Sequence, residues 1–208
     1  MKRKRKPTPN ASRRSASGKL RIIGGDFRRR QLPVLERQGL RPTPDRVRET
    51  LFNWLGQALY GQRVLDIFAG TGALGIEALS REAASVQFVE QDRGVAEQIR
   101  TNVETLKATN AEVSTQDALA FLVKPDAPFD LVFLDPPFHH GLAAPCCIAL
   151  EENGWLSPGA MIYVETEAAL TPDVPANWAL YRETTAGEST ARLYQRQNAT
   201  SALAADSV

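Results

Sequence analysis

The sequence is poor in the residues from which metal centres and disulfide frameworks are built. Among 208 residues there are two cysteines and two histidines. Cys146 and Cys147 are adjacent, neighbours of that kind rarely bridge each other, and no second pair exists to build a framework. His139 and His140 are also adjacent, and no His/Cys/Asp cluster has ligand spacing, so no metal is expected. No run of about 18 apolar residues occurs, which excludes a transmembrane helix. The basic start, Met1 to Lys6, is followed by no apolar stretch, so a secretory signal is not expected either. A reducing, cytoplasmic setting fits these absences.

What is present suffices for one sizeable α/β domain, since 43% of the residues are hydrophobic. The net charge of +1 conceals an asymmetry. Residues 1–48 carry 16 Lys/Arg against 3 Asp/Glu, whereas residues 49–208 carry 9 against 21. A basic arm on an acidic body points to a polyanion engaged at one end, or to a solvated tail that only aids solubility.

Residues 1–18 have almost no large apolar side chains and are expected to be disordered. From Leu20 to Leu35, apolar residues alternate with Arg21, Arg28, Arg29 and Arg30 around Gly24-Gly25, which predicts a small hairpin with a basic face over residues 19–40. In Arg41-Pro42-Thr43-Pro44-Asp45, Thr43 suits a helix N-cap and Pro44 the first helical position. Val47, Leu51, Trp54 and Leu55 follow at helical spacing.

Strands then alternate with helices. Strands are expected at Val64–Phe68, Ser85–Glu90, Glu112–Thr115, Asp130–Leu134 and Ala160–Glu165. Helices are expected at Ala73–Arg81, Arg93–Ala108, Ala118–Val123 and Leu142–Glu152. This is the pattern of a parallel sheet with right-handed crossovers. Trp178–Thr185 and Thr190–Gln195 read as a closing antiparallel hairpin, so the main α/β domain spans residues 41–197 and a flexible tail follows from Asn198.

Chemistry gathers at the ends of the strands. Asp66 precedes Phe68-Ala69-Gly70-Thr71-Gly72, and Gly70 to Gly75 matches G-x-G-x-x-G, the turn at which α/β sheets bind nucleotides. A carboxylate just before the glycines suits an amino group and would repel a pyrophosphate, which favours S-adenosylmethionine over NAD. Glu90, 18 residues after Gly72, ends the second strand, where it could accept bonds from ribose hydroxyls. Asp117 is an N-cap, an acceptor for an adenine amino group, or both.

The decisive motif is Asp135-Pro136-Pro137-Phe138. The prolines stiffen the loop and donate no N–H, which leaves the Asp135 carboxylate and the Pro136 carbonyl as acceptors beside an aromatic ring. An exocyclic amino group is conjugated with its ring and is a poor nucleophile. Acceptors that hold its hydrogens can turn its lone pair toward an electrophilic methyl group, while Phe138 stacks on an unstacked base.

Together these motifs resemble the Rossmann-like class I methyltransferases. With Arg21-Ile22-Ile23-Gly24-Gly25 and Arg41-Pro42-Thr43-Pro44-Asp45-Arg46-Val47-Arg48-Glu49, they resemble the RsmD family, bacterial guanine-N2 methyltransferases of 16S ribosomal RNA. The resemblance covers roughly residues 19–197. It implies a mostly parallel seven-stranded sheet ending in an antiparallel hairpin, with the basic hairpin as an N-terminal extension. It implies that Thr43 and Arg46 take the cofactor's carboxylate, Phe68 to Gly72 its body, Glu90 its ribose, and Asp117 with Ala118 its adenine. Asp135 to Phe138 would hold the guanine. Arg21, Gly24, Gly25, Arg28, Arg29, Arg30 and Arg41 would grip RNA, in the small subunit or an assembly intermediate, with the enzyme acting as a monomer. Competing readings are an N6-adenine methyltransferase, a dehydrogenase using the glycine turn, and a non-catalytic RNA-binding protein.

Overall fold

The computed structural model describes residues 18–35, 37, 40 and 43–198. The expectations for residues 1–17, for Arg41 and for most of the tail fall outside them. Gly18, assigned to the arm above, instead opens the first strand.

Strands β1 (Gly18–Arg21) and β2 (Gln31–Val34) form an antiparallel pair, with Leu20 opposite Leu32. Alternation buries Leu20, Leu32 and Val34 in the main core, so the hairpin is packed into the domain and does not stand off it. Helix α1 (Asp45–Leu55) follows. Its N-cap is Pro44 and no side chain caps it, which corrects the expectation for Thr43. The Thr43 carbonyl is instead held by Arg48 Nε at 3.2 Å.

The remaining elements alternate as the sequence predicts: β3 (Arg63–Asp66), α2 (Ala73–Ser80), β4 (Ser85–Glu90), α3 (Arg93–Leu106), β5 (Ala111–Thr115), α4 (Ala118–Phe121), β6 (Phe129–Leu134), α5 (Ala143–Glu152), β7 (Leu156–Glu167), β8 (Trp178–Ala186) and β9 (Ser189–Arg196). The seven-stranded sheet has the order β5-β4-β3-β6-β7-β9-β8, and β9 runs antiparallel to both its neighbours. Strand order reverses between β3 and β6, which opens the crevice where sheets of this kind bind ligands. β7 starts earlier than predicted, because a register shift against β6 between Phe129 and Leu131 accommodates Pro158-Gly159.

Side chains alternate between two cores. Leu51, Phe52, Ile76, Phe88, Phe133 and Tyr163 fill the space under the hairpin and helices α1 to α3. Leu65, Val132, Cys146, Leu150 and Ile162 fill the opposite face. Burial on both faces explains the near-continuous apolar runs of β3, β6 and β7.

The hairpin is fixed to α2 by a polar network. Glu77 is fully buried in a helix whose other residues are apolar up to the terminal Ser80. Its carboxylate accepts from the Ile23 and Gly24 backbone N–H at 2.9 and 2.8 Å, from Arg81 Nε at 2.9 Å and from Arg48 Nη1 at 3.4 Å. Arg48, 1% exposed, also donates to the Arg21 carbonyl at 2.9 Å and to Asp45 at 2.6 Å. Gly25 has φ +69°, and a Cβ there would lie 1.7 Å from the Ser80 carbonyl oxygen, so only glycine allows this contact.

Candidate active site

Carboxylates close neighbouring strands of the sheet. Asp66 ends β3, Glu90 ends β4, Asp135 follows β6 and Glu165 lies near the end of β7. Asp66 pairs in register with Phe133, which shares a core with Tyr163, so Asp66, Asp135 and Glu165 project from the same face of the sheet.

Asp66 is 3% exposed, and its Oδ2 accepts from the Gly75 N–H at 3.0 Å. Burial pushes its pKa up to about 7, opposed by that hydrogen bond and helped by Glu90. One oxygen therefore braces the glycine turn from beneath. A Cβ on Gly75 would sit 2.2 Å from the Phe88 ring, so helix α2 packs onto β4 at a distance only glycine permits. Gly70 and Gly72 both have positive φ, and Gly72 is the N-cap of α2. Phe68 and Gly70 are half-buried, while Ala69 and Thr71 are buried.

Glu90 reaches back across the turn. Its Oε2 accepts from Gly70 N–H at 2.9 Å and its Oε1 from Asp92 N–H at 2.7 Å. Each carboxylate oxygen keeps a lone pair for a hydroxyl. Asp117 caps α4 through Ala120 N–H at 3.0 Å and is otherwise exposed, with Ala118 buried behind it. Of the pair expected at the cofactor's carboxylate, Thr43 is half-buried and Arg46 is exposed.

Asp135 is part-exposed as a residue, yet its carboxyl group is packed tightly enough for desolvation to raise its pKa well above 3.8. Glu165 and then Asp66 push in the same direction. Pro136 is buried, Pro137 exposed and Phe138 half-buried, with its ring edge-on to His139. His139 binds Glu167 through its backbone N–H, which anchors the loop to β7. A cleft of about 140 Å³ lies beside Pro136 and Pro137, between Leu142 at the start of α5 and Leu170.

The family model described as conserved hypothetical protein 95 matches residues 20–195. The ribosomal RNA small subunit methyltransferase D of Escherichia coli K12 is 53% identical over 184 residues, covering 88% of this chain and 93% of that protein. The chain belongs to the RsmD family of methyltransferases. The Haemophilus influenzae protein of the same name is 52% identical over 192 residues, 90% of this chain and 97% of that one. A solved structure, the putative methyltransferase yhhF of Escherichia coli, superposes with a TM-score of 0.81 at 51% identity, over 86% of this chain and 99% of that one. The Rossmann-like fold expected of an RsmD-family methyltransferase is therefore shown.

The structure gathers Asp66, Phe68 to Gly72, Glu90 and Asp135 to Phe138 at the carboxyl ends of β3, β4 and β6, with Asp117 at the head of α4. The basic hairpin lies elsewhere, over the end of α2. Gly24 and Gly25 turn their backbones toward Glu77 and Ser80. Arg21 is paired with Asp45 at 2.7 Å, and Arg30 lies over the Phe27 ring and donates to the Thr105 carbonyl at 3.0 Å. Arg28 and Arg29 are exposed and make no ion pair among the described residues. Sequence reasoning missed Glu165, whose one signal was a carboxylate at the close of the apolar run Ala160–Val164. It also missed Arg48 and Glu77, for which the one signal was a glutamate inside the apolar run Ala73–Ser80.

Proposed function

We propose that this RsmD-family protein methylates the exocyclic N2 amino group of a specific guanine in small-subunit (16S) ribosomal RNA, using S-adenosylmethionine, as a monomer in the bacterial cytoplasm. The observation that carries this reading is the Asp135–Phe138 loop, whose acceptors stand beside the glycine turn at the reversal of strand order. The names of the close relatives supply the ribosomal RNA and the small subunit.

The residues around the turn fit S-adenosylmethionine. Asp66 and Glu90 line the crevice with carboxyl acceptors, which suit a sulfonium and an ammonium group and disfavour a pyrophosphate. When bound, the cofactor supplies a methyl group made electrophilic by its attachment to positive sulfur. Glu90 would hold the ribose, Asp117 with Ala118 the adenine, and Thr43 with Arg46 the carboxylate. The Asp135 carboxylate and the Pro136 carbonyl accept the two hydrogens of the target amino group and direct its lone pair away from the ring. Phe138 stacks on the flipped base. Rate enhancement then comes from positioning and from acceptors placed before reaction. As the amino nitrogen gains the methyl group it gives up a hydrogen, and Asp135 is placed to accept it.

The test supplies labelled S-adenosylmethionine and small-subunit RNA, bare and assembled, from a strain lacking this protein. One N2-methylguanosine per RNA is expected. N6-methyladenosine, or no incorporation with either substrate, would overturn the reading.

The hairpin arginines contact phosphates in this reading, which positions RNA without reading sequence. Neutralising Arg28, Arg29 and Arg30 together should weaken RNA binding and flatten its dependence on salt by about 0.7–0.9 in logarithmic slope per lost contact. S-adenosylmethionine affinity should not change. Equal salt slopes for variant and wild type would return this hairpin to the role of a solvated face.

A further inference from the structure

Exocyclic amino groups occur on guanine, adenine and cytosine, and the Asp135 loop offers all of them the same acceptors. The bases differ in the ring nitrogen beside the amino group. In guanine one of the two flanking ring nitrogens, N1, carries a hydrogen, whereas the single flanking ring nitrogen of adenine and of cytosine carries a lone pair. Choosing guanine therefore calls for a further acceptor beside Asp135.

The sheet supplies one. Leu134 and Val164 are partners in the parallel pairing of β6 and β7. The next residues, Asp135 and Glu165, thus leave adjacent strands side by side, on the face shared by Phe133 and Tyr163. Strands are about 4.8 Å apart, a spacing matched to the edge of one base. Glu165 is 7% exposed. The Tyr163 hydroxyl donates to its Oε2 at 2.6 Å and orients it. Its Oε1 accepts no hydrogen bond among the described residues. That oxygen keeps contact with solvent, so a donor entering the site can reach it.

We propose that Glu165 determines base specificity, its carboxylate accepting the N1–H of the target guanine while Asp135 and the Pro136 carbonyl hold the N2 amino hydrogens. This rests on the guanine-N2 reading above. Adenine or cytosine would turn a ring lone pair toward Glu165, which repels it and leaves the carboxylate unpaired. A site built around such a bond rejects analogues that lack it far more strongly than an apolar pocket does. The crowding of Asp135 by Glu165 agrees with this arrangement, since the donors of a guanine edge relieve the repulsion between the two groups.

The test compares two RNAs that differ at the mapped target position, one with guanine and one with 2-aminopurine. The analogue keeps the 2-amino group, replaces N1–H by a lone pair and lacks the 6-oxo group, a loss common to wild type and variants, so the change in preference between them reads the N1 position. Wild type should prefer guanine by at least about a hundredfold in kcat/KM. Glu165→Gln can present its amide N–H to the analogue, so the preference should fall to within a few-fold. Tyr163→Phe leaves the carboxylate but frees it, and should lower the preference to an intermediate value. It is the decisive variant if Glu165→Gln fails to fold. An unchanged preference in folded Glu165→Gln, or in Tyr163→Phe if that is the variant that folds, would overturn the assignment of Glu165 alone. A methyl group mapped to any atom other than guanine N2 would overturn the target reading instead.

Discussion

Glu77→Ala should bring the protein close to unfolding. The substitution removes the buried carboxylate that pairs with Arg81, 8% exposed, and leaves Arg48, 1% exposed, with Asp45 as its one ion-pair partner among the described residues; it also orphans the N–H groups of Ile23 and Gly24. Breaking a buried ion pair on one side costs about 3–5 kcal/mol, because the surviving charge is left in a poor solvent. Each unsatisfied backbone donor adds about 1–3 kcal/mol where water cannot reach it. Against a total stability of about 5–15 kcal/mol, that loss is most of what a domain has. Glu77→Gln keeps the acceptor oxygen but not the charge, and should fall between the two. Urea unfolding of the variants measures the effect. A midpoint shift equivalent to less than about 1 kcal/mol for Glu77→Ala would mean that water or backbone movement replaces the network. The hairpin is the part most dependent on Glu77, so limited proteolysis of the variant should cut first between β1 and β2.

That network also marks where the sequence stops being legible. The order of strands and helices from residue 63 to residue 196 follows from apolar runs and glycine turns, because a strand covered on both faces cannot hide its composition. The Asp135 loop and the glycine turn are equally visible, since their chemistry is carried by consecutive residues. Three features were not. The cap of α1 went to Pro44, because the Thr43 side chain makes no bond to the helix and Arg48 takes its carbonyl. The hairpin reads as a basic appendage, yet Leu20, Ile22 and Leu32 belong to the main core. Its docking depends on residues 53 or more positions away in sequence, a separation that periodicity does not report. Glu165 becomes conspicuous only when the pairing of β6 with β7 sets it beside Asp135. Pairing of strands is a property of the folded chain, and a single sequence states it only indirectly.

Asp135→Ala should retain cofactor affinity and lose methyl transfer, by about a hundredfold to ten-thousandfold in kcat, the range seen when a positioned acceptor or a proton-transfer group is removed. The pH profile separates this from simple damage. The Asp135 pKa is raised well above 3.8 by desolvation, then by Glu165 and Asp66. A protonated carboxyl is a poor acceptor for an amino hydrogen, so wild-type kcat/KM should fall on an acid limb lying well above pH 4. Asp135→Asn keeps an acceptor oxygen that does not titrate, so it should keep part of the activity and lose that limb. Stability moves the opposite way. A carboxyl whose folded pKa exceeds its unfolded value favours the folded state at low pH, and that contribution is lost as pH rises through the folded pKa. Asp66, pushed up to about 7, adds the same trend. The ligand-free protein should therefore melt at a lower temperature at pH 8 than at pH 5.5, and Asp135→Asn should recover part of the difference while impairing catalysis. An acid limb unchanged in Asp135→Asn would assign the titration to another group. A variant no more stable than wild type at pH 8 would mean that Asp135 ionises without strain in the folded protein.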